Sequence, residues 1–200
     1  MAVSKLETVE DTRWLLTQAE EHDFIRGVVG ALDEFQTHPK FRGVVWNCEG
    51  EIPEGLAEIE RRGLTLDVHP RLEIIPRICE KFPALKIAID HVTRAAMPFD
   101  DWARALETAA QSPNVFAKLS GLITGIPGQW KAEQLQPYAR HVLRVFGPER
   151  VMYGSDWPSY LPEGTWKEAL AAFTQAIGAQ TEETREHLLG GTACRFYGVV

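Results

Sequence analysis

Trp14, Leu15, Leu16 and Ala19 recur at helical spacing behind Thr8, whose hydroxyl can cap a helix with Asp11 three residues on, so the pattern predicts a helix from Thr8 to Glu21. The period then changes. "IRGVVGA" (Ile25 to Ala31) and "FRGVVW" (Phe41 to Trp46) are short β-branched runs between polar stretches and read as buried strands. In "PEGLAEIERRG", Pro53 sits where a first helical turn tolerates it, Leu56 and Ile59 share a face, and Gly63 stops the helix. The alternation continues: strand Leu64 to His69, helix Leu72 to Phe82, strand Lys86 to His91, helix Phe99 to Gln111, strand Asn114 to Ser120. Helix Ala132 to Phe146, closed by Gly147-Pro148, strand Val151 to Gly154, helix Thr165 to Ile177 and a helical segment Glu182 to Leu189 complete the series before "GGTACRFYGVV".

Six strands alternating with helices imply a parallel sheet, because parallel neighbours need crossovers and the crossovers place helices on the sheet. The fold class is α/β, and the choice lies between a doubly wound sheet and a TIM-type (β/α) barrel. No GxGxxG or GxxxxGK[ST] follows a strand, so the phosphate-cradling signatures of nucleotide-binding sheets are missing. The strands instead carry polar residues at their C-terminal tips: Asn47, His69, His91, Lys118 with Ser120, and Asp156. In a barrel those tips meet at one mouth, where such enzymes do their chemistry. The expectation is therefore an incomplete barrel, with about six of the eight strands visible, forming one domain over residues 1–200 that is shortened at its N-terminal end. Between Ala31 and Phe41 the connection is too short for an ordinary crossover helix. Either that helix is reduced to a turn or these two strands are not parallel neighbours.

At 200 residues, 44% hydrophobic and 24% charged, the chain has the make-up of a globular protein with one substantial core. A formal charge of −7 argues against a nucleic-acid or anionic-membrane surface. Cys48, Cys79 and Cys194 form no CxxC pair, so reduced, buried thiols are expected rather than a disulfide framework or structural zinc. "MAVSKLETVEDTRW" turns polar too early for a signal peptide or membrane span, and a cytoplasmic protein is the simplest reading.

The stretches "LDVHPRLEIIPRICEKFPALKIAIDHVTRAAMP", "NVFAKLSGLIT", "FGPERVMYGSDWP" and "GGTACRFYGV", set in that order at strand spacing, resemble the amidohydrolase-related family, and within it the lactonases that open L-fucono- and L-rhamnonolactones in carbohydrate metabolism. The resemblance implies a hydrolase acting on a sugar lactone or related carboxylic ester. It implies Asp156 as the group that handles the proton of the attacking water, His91 as its catalytic partner, and His69, Lys118, Ser120 and Trp157 as substrate-binding residues. A carboxylate to accept a proton and cationic or hydrogen-bonding groups beside the carbonyl oxygen are what lactone opening needs.

The chain departs from the family at two points. It has no H-x-H pair anywhere, and Val45 stands where the family often has the arginine of "GVR". With His69, His91 and Asp156 supplying at most three ligands, a metal-free mechanism is expected, no cofactor is required, and a divalent metal such as zinc is an option resting on His91 and Asp156. An open arc also has two sheet edges and an apolar interior to cover, so a homo-oligomer is expected, acting on a small molecule.

Two other functions stay open: a non-catalytic relative that keeps the pocket for binding or assembly, and, more distantly, a decarboxylase of the same superfamily. Lys118, in an apolar strand, is expected to be functional or ion-paired. Asp67 and Asp90 read as structural hydrogen-bonders. His22, His38, His141 and His187 are expected to face solvent, and Trp14, Trp166 and Phe173 to pack in the core.

Overall fold

Among the described residues seven strands, one more than the pattern predicts, run parallel and pair in chain order. The computed structural model describes residues 1–4, 8–31, 37–69, 71–92, 97–124 and 130–199. The strands are β1 (Ala2–Val3), β2 (Val28–Gly30), β3 (Phe41–Trp46), β4 (Thr65–Val68), β5 (Lys86–Ile89), β6 (Val115–Leu119) and β7 (Val151–Tyr153). Between and after them come α1 (Val9–Glu21), α2 (Leu56–Arg61), α3 (Ile75–Lys81), α4 (Phe99–Ala110), α5 (Ala132–Phe146), α6 (Trp166–Ile177), α7 (Glu182–Glu186) and α8 (Thr192–Tyr197). The additional strand is β1, whose two residues pair with Val28 and Val29 of β2. Two residues are too few to show a period, so no pattern marks it.

Local signals set the helix ends. Thr8 caps α1 by accepting from the Asp11 amide at 3.2 Å, and Thr165 and Glu168 form a reciprocal capping box at α6. Gly147 ends α5 at φ 70, a backbone conformation that favours glycine.

The strand order decides between the two α/β architectures. Each strand pairs with the next and the order never reverses. With crossovers of one hand, the crossover helices fall on one face and the sheet curls toward a barrel, whereas a doubly wound sheet reverses direction at a switch point. The fold is thus an incomplete (β/α) barrel. β2 and β3 are parallel neighbours, with Val29 opposite Gly43 and Gly30 opposite Val44. That removes the reading in which they were not. Part of their connection, residues 32–36, lies outside the described residues.

Alternation along the strands sorts the core into two layers. Leu66, Val68, Ile87, Ile89, Ala117 and Leu119 pack against helix residues such as Ile59, Ile78, Leu106 and Val142. On the concave side lie Val29, Val45, Ala88 and Met152, and these pack with Phe196, Tyr197 and Val199 from α8 and just beyond it. These residues cover that part of the apolar inner face from within the chain. Phe196 is 2% exposed and contributes roughly 1.5–3 kcal/mol by its burial.

Several side chains sit differently from the pattern. Trp14 and Trp166 are 58% and 59% exposed, while Phe173 is buried as expected. The buried face of α1 is Thr12, Leu16 and Ala19, which turns Trp14 away, and Trp166 opens the first turn of α6, before the buried Ala169 and Phe173. His141 does not face solvent. It packs beside Trp102 and Phe99, with ring centroids 5.2 and 6.0 Å away. Cys48 is buried and Cys79 half-buried, but Cys194 is exposed. Among the described residues no helix is long and apolar enough to cross a membrane.

Candidate active site

Strand β5 runs directly into Asp90 and His91, and β7 into Gly154, Ser155 and Asp156. At these tips the chain turns through the left-handed region: His91 has φ 47, Asp156 φ 62 and, past β3, Cys48 φ 63. His and Asp are among the non-glycine residues that tolerate this region, at a cost of roughly 1–2 kcal/mol. The turn aims both side chains at each other. His91 Nε2 lies 3.6 Å from Asp156 Oδ1, and the side chains are 20% and 7% exposed.

Each partner is held from β6 or just past it. Ser120 Oγ accepts the His91 backbone N–H at 3.3 Å and lies 2.9 Å from its ring Nδ1. With the serine O–H donating to Nδ1, the ring proton resides on Nε2, facing the carboxylate. Thr124 Oγ1 donates to Asp156 Oδ2 at 2.6 Å. The segment after His91 is anchored by the Trp102 indole N–H, which donates to the Val92 carbonyl at 2.8 Å.

Lys118 points to the inside of the arc, below this pair. Its ammonium is paired with Asp67 and lies 2.7 Å from Asp90 Oδ1. Asp67, fully buried, also accepts the Tyr197 O–H, with its two carboxylate oxygens 3.0 and 2.8 Å away. Burial pushes the Asp67 carboxyl up to about 6, against the pull of the Lys118 charge. Burial opposes the Lys118 ammonium too, but the facing Asp67 and Asp90 carboxylates hold its pKa well above the usual lysine value. Lys118 is thus ion-paired with both carboxylates; Asp67 is the hydrogen-bonding residue the sequence suggested, while Asp90 Oδ1 meets the ammonium as an ion pair without a hydrogen bond.

His69 joins the site from β4, its ring centroid 6.2 Å from that of His91. Trp157, next to Asp156, is 65% exposed. Asn47 is exposed, with its Oδ1 accepting the Glu49 amide at 3.0 Å. The strand tips therefore bring His69, His91, Ser120 and Asp156 together, while Lys118 is engaged one layer below. Sequence reasoning missed Thr124 and Tyr197. Both stand inside stretches that carried the resemblance, "KLSGLIT" and "RFYGV", but a hydroxyl's partner across the fold leaves no local pattern.

The donors do not make a complete metal site. Among the described residues no group of three or more His, Cys, Asp or Glu side chains is placed to hold an ion. His91 Nδ1 is turned to Ser120 and Asp156 Oδ2 to Thr124, which leaves His91 Nε2 and Asp156 Oδ1 as the atoms of the pair that could face an ion.

A curled parallel sheet whose strand tips converge on a histidine–aspartate pair is the layout of an enzyme built on a (β/α) barrel. Over residues 7–199 the sequence matches the amidohydrolase family, and the chain belongs to it. It is 30% identical to an L-fucono-1,5-lactonase of Burkholderia ambifaria, covering 100% of this chain and 79% of that protein. A second L-fucono-1,5-lactonase, from Burkholderia multivorans, is 28% identical over 76% of this chain and 57% of its own length. In structure the chain is similar to an amidohydrolase of Burkholderia multivorans with bound zinc, with TM-score 0.86 and 26% identity over 100% of this chain and 82% of that one.

Proposed function

We propose that this chain opens a sugar lactone by adding water to its carbonyl carbon, with Asp156 and His91 as the catalytic pair. The observation that carries the proposal is the 3.6 Å approach of His91 Nε2 to Asp156 Oδ1 at the strand tips, in a family whose similar members include L-fucono-1,5-lactonases. Asp156 takes a proton from water, and the hydroxide attacks the carbonyl carbon. The negative charge on the carbonyl oxygen is met by the Nε2–H of His91, which Ser120 orients. Collapse of the tetrahedral adduct breaks the bond to the ring oxygen. That oxygen leaves as a hydroxyl with the proton from Asp156, giving the open hydroxy acid. His69 and the exposed Trp157 face the substrate at the mouth, Trp157 offering a ring on which the C–H face of a sugar can rest. Lys118 acts on the substrate only through the donor that Asp67 and Asp90 leave it, since an ammonium has three.

A divalent ion such as zinc, present in the Burkholderia multivorans relative, would polarise the carbonyl if bound, with His91 and Asp156 as its donors here. The described donor set is incomplete for that ion, and no step above passes through it.

The test is hydrolysis of a panel of aldonolactones followed with a pH indicator, for the wild type and for Asp156→Asn, with and without chelator. Turnover by the wild type that Asp156→Asn abolishes supports the proposal. Turnover that chelator removes assigns carbonyl polarisation to a metal. A folded wild type that opens no lactone above the buffer rate sinks the proposal in favour of a binding or assembly role, which the missing H-x-H pair favours.

A further inference from the structure

A column of polar side chains climbs the inside of the arc from α8 to the site. Tyr197 donates to Asp67 on β4, Asp67 takes the Lys118 ammonium on β6, and that ammonium lies 2.7 Å from Asp90, the residue immediately before His91. The second support of His91 comes from the same strand tip, since Ser120 stands two residues beyond Lys118 and meets both the His91 amide and its ring. Both anchors of the catalytic imidazole therefore hang on neighbours of Lys118.

A lysine has a flexible four-carbon stem and no geometry of its own. Lys118 is fixed because carboxylates on the two adjacent strands β4 and β5 grip it at 8% exposure. Without it, Asp67 and Asp90 would face each other as buried like charges and push the two strand tips apart. Asp67 in turn is wholly buried, and its orientation is set by the Tyr197 hydroxyl. Packing alone does not call for that hydroxyl. The Tyr197 ring meets Phe196 edge-on at 4.7 Å, a contact phenylalanine would keep.

We infer that α8 is part of the active site: Tyr197 is a positioning residue that, through Asp67 and Lys118, sets His91 opposite Asp156. The inference rests on the reading of His91 as a catalytic group. It makes the far side of the barrel a determinant of the mouth and gives Lys118 the role of a clamp between strands.

The experiment is Tyr197→Phe in the whole chain, read in three ways: the His91 imidazole signals by NMR of histidine-labelled protein, assigned with His91→Asn; kcat and KM on the lactone the wild type opens best; and the thermal midpoint. The expected result is a folded protein whose His91 ring signals are displaced, with kcat down about tenfold and KM within about twofold. Lys118→Met reproduces the displacement. Should Tyr197→Phe not fold, Asp67→Asn keeps the side-chain shape and carries the same readout. A folded variant in which the His91 signals stay where they are overturns the inference, whatever happens to stability. If the wild type opens no lactone while the His91 signals still move, the lactonase reading falls and the positioning role stands.

Discussion

Gly154 lies against Ser120 so closely that a methyl group added to it would stand 2.8 Å from the Ser120 Cβ. Carbon atoms in good contact are about 3.5–4.0 Å apart. The glycine that follows β7 is therefore what lets the chain pass beside the residue holding His91. Gly154→Ala should shift Ser120 and, with it, His91. The expected effect is a roughly tenfold loss of kcat with a loss of about 1–3 kcal/mol in stability. Steady-state kinetics on lactone hydrolysis and a urea titration check both, and an unchanged kcat would separate Ser120 from the chemistry.

Asp156 stands at φ 62, where asparagine is as tolerable as aspartate. Asp156→Asn should therefore melt within a few degrees of the wild type and still accept from Thr124 through its amide oxygen. Its kcat should fall by about 10²–10⁴, the contribution of a positioned general base. Asp156→Val is the contrast. A β-branched residue strains the left-handed turn and should cost about 1–2 kcal/mol of stability in addition to activity.

The sign of the pH dependence at Asp67 follows from its raised carboxyl. From an ordinary 3.8 it is pushed up to about 6 in the fold, so the folded state binds the proton that the unfolded state has already released. Its stabilising contribution is complete below the lower value and is lost as pH rises through the upper one. Urea unfolding of the wild type and Asp67→Asn at intervals from pH 4 to 7 isolates this group, because the other carboxylates are common to both. The wild-type stability should decline relative to the variant between about pH 4 and 6 and then run level. A difference that grows in favour of the wild type over that window would contradict the sign.

Arg150 lies at the opposite end of β7 from Asp156. Its Nη1 donates to the carbonyls of Ala110, Ser112 and Val115 at 3.1, 3.1 and 3.2 Å, and Nε to that of Phe146 at 3.2 Å. It thereby ties the ends of α4 and α5 to the start of β6. Arg150→Ala leaves these carbonyls short of a donor and should cost about 2–4 kcal/mol. Activity at low temperature should be kept, since barrel chemistry sits at the strand tips and this end serves stability. A variant that melts normally would mean that water replaces the guanidinium.

How much of this was legible depended on whether a feature is written locally. Alternation with helices placed β2 to β7 because each is a short apolar run set off by turn or polar residues, and the capping signals of Thr8 and Thr165 fixed α1 and α6. β1 was invisible at two residues. The strand-tip rule drew His69, His91, Ser120 and Asp156 into one place, and the structure brings these four together. What it could not give is pairing across the fold. Helical spacing put Trp14 inside, but the buried stripe of α1 runs through Thr12, Leu16 and Ala19. His141 read as a surface residue because the aromatic side chains that enclose it belong mostly to α4, some 40 residues earlier in the chain. Lys118 was recognisable as a buried charge, and only the register of β4 beside β5 and β5 beside β6 shows which carboxylates grip it.

That α8 fills the concave side has a bearing on how the protein comes to be made. The seven described strands precede α8 in the chain, so during synthesis the sheet can pair strand by strand, each new one beside the last, while its inner face waits for Phe196 and Tyr197. A nascent chain stalled before α8 carries a bare apolar concavity and an unanchored Asp67. Closure of this inner face thus waits for α8, and a chain that has not yet docked it exposes apolar surface of the kind that aggregates.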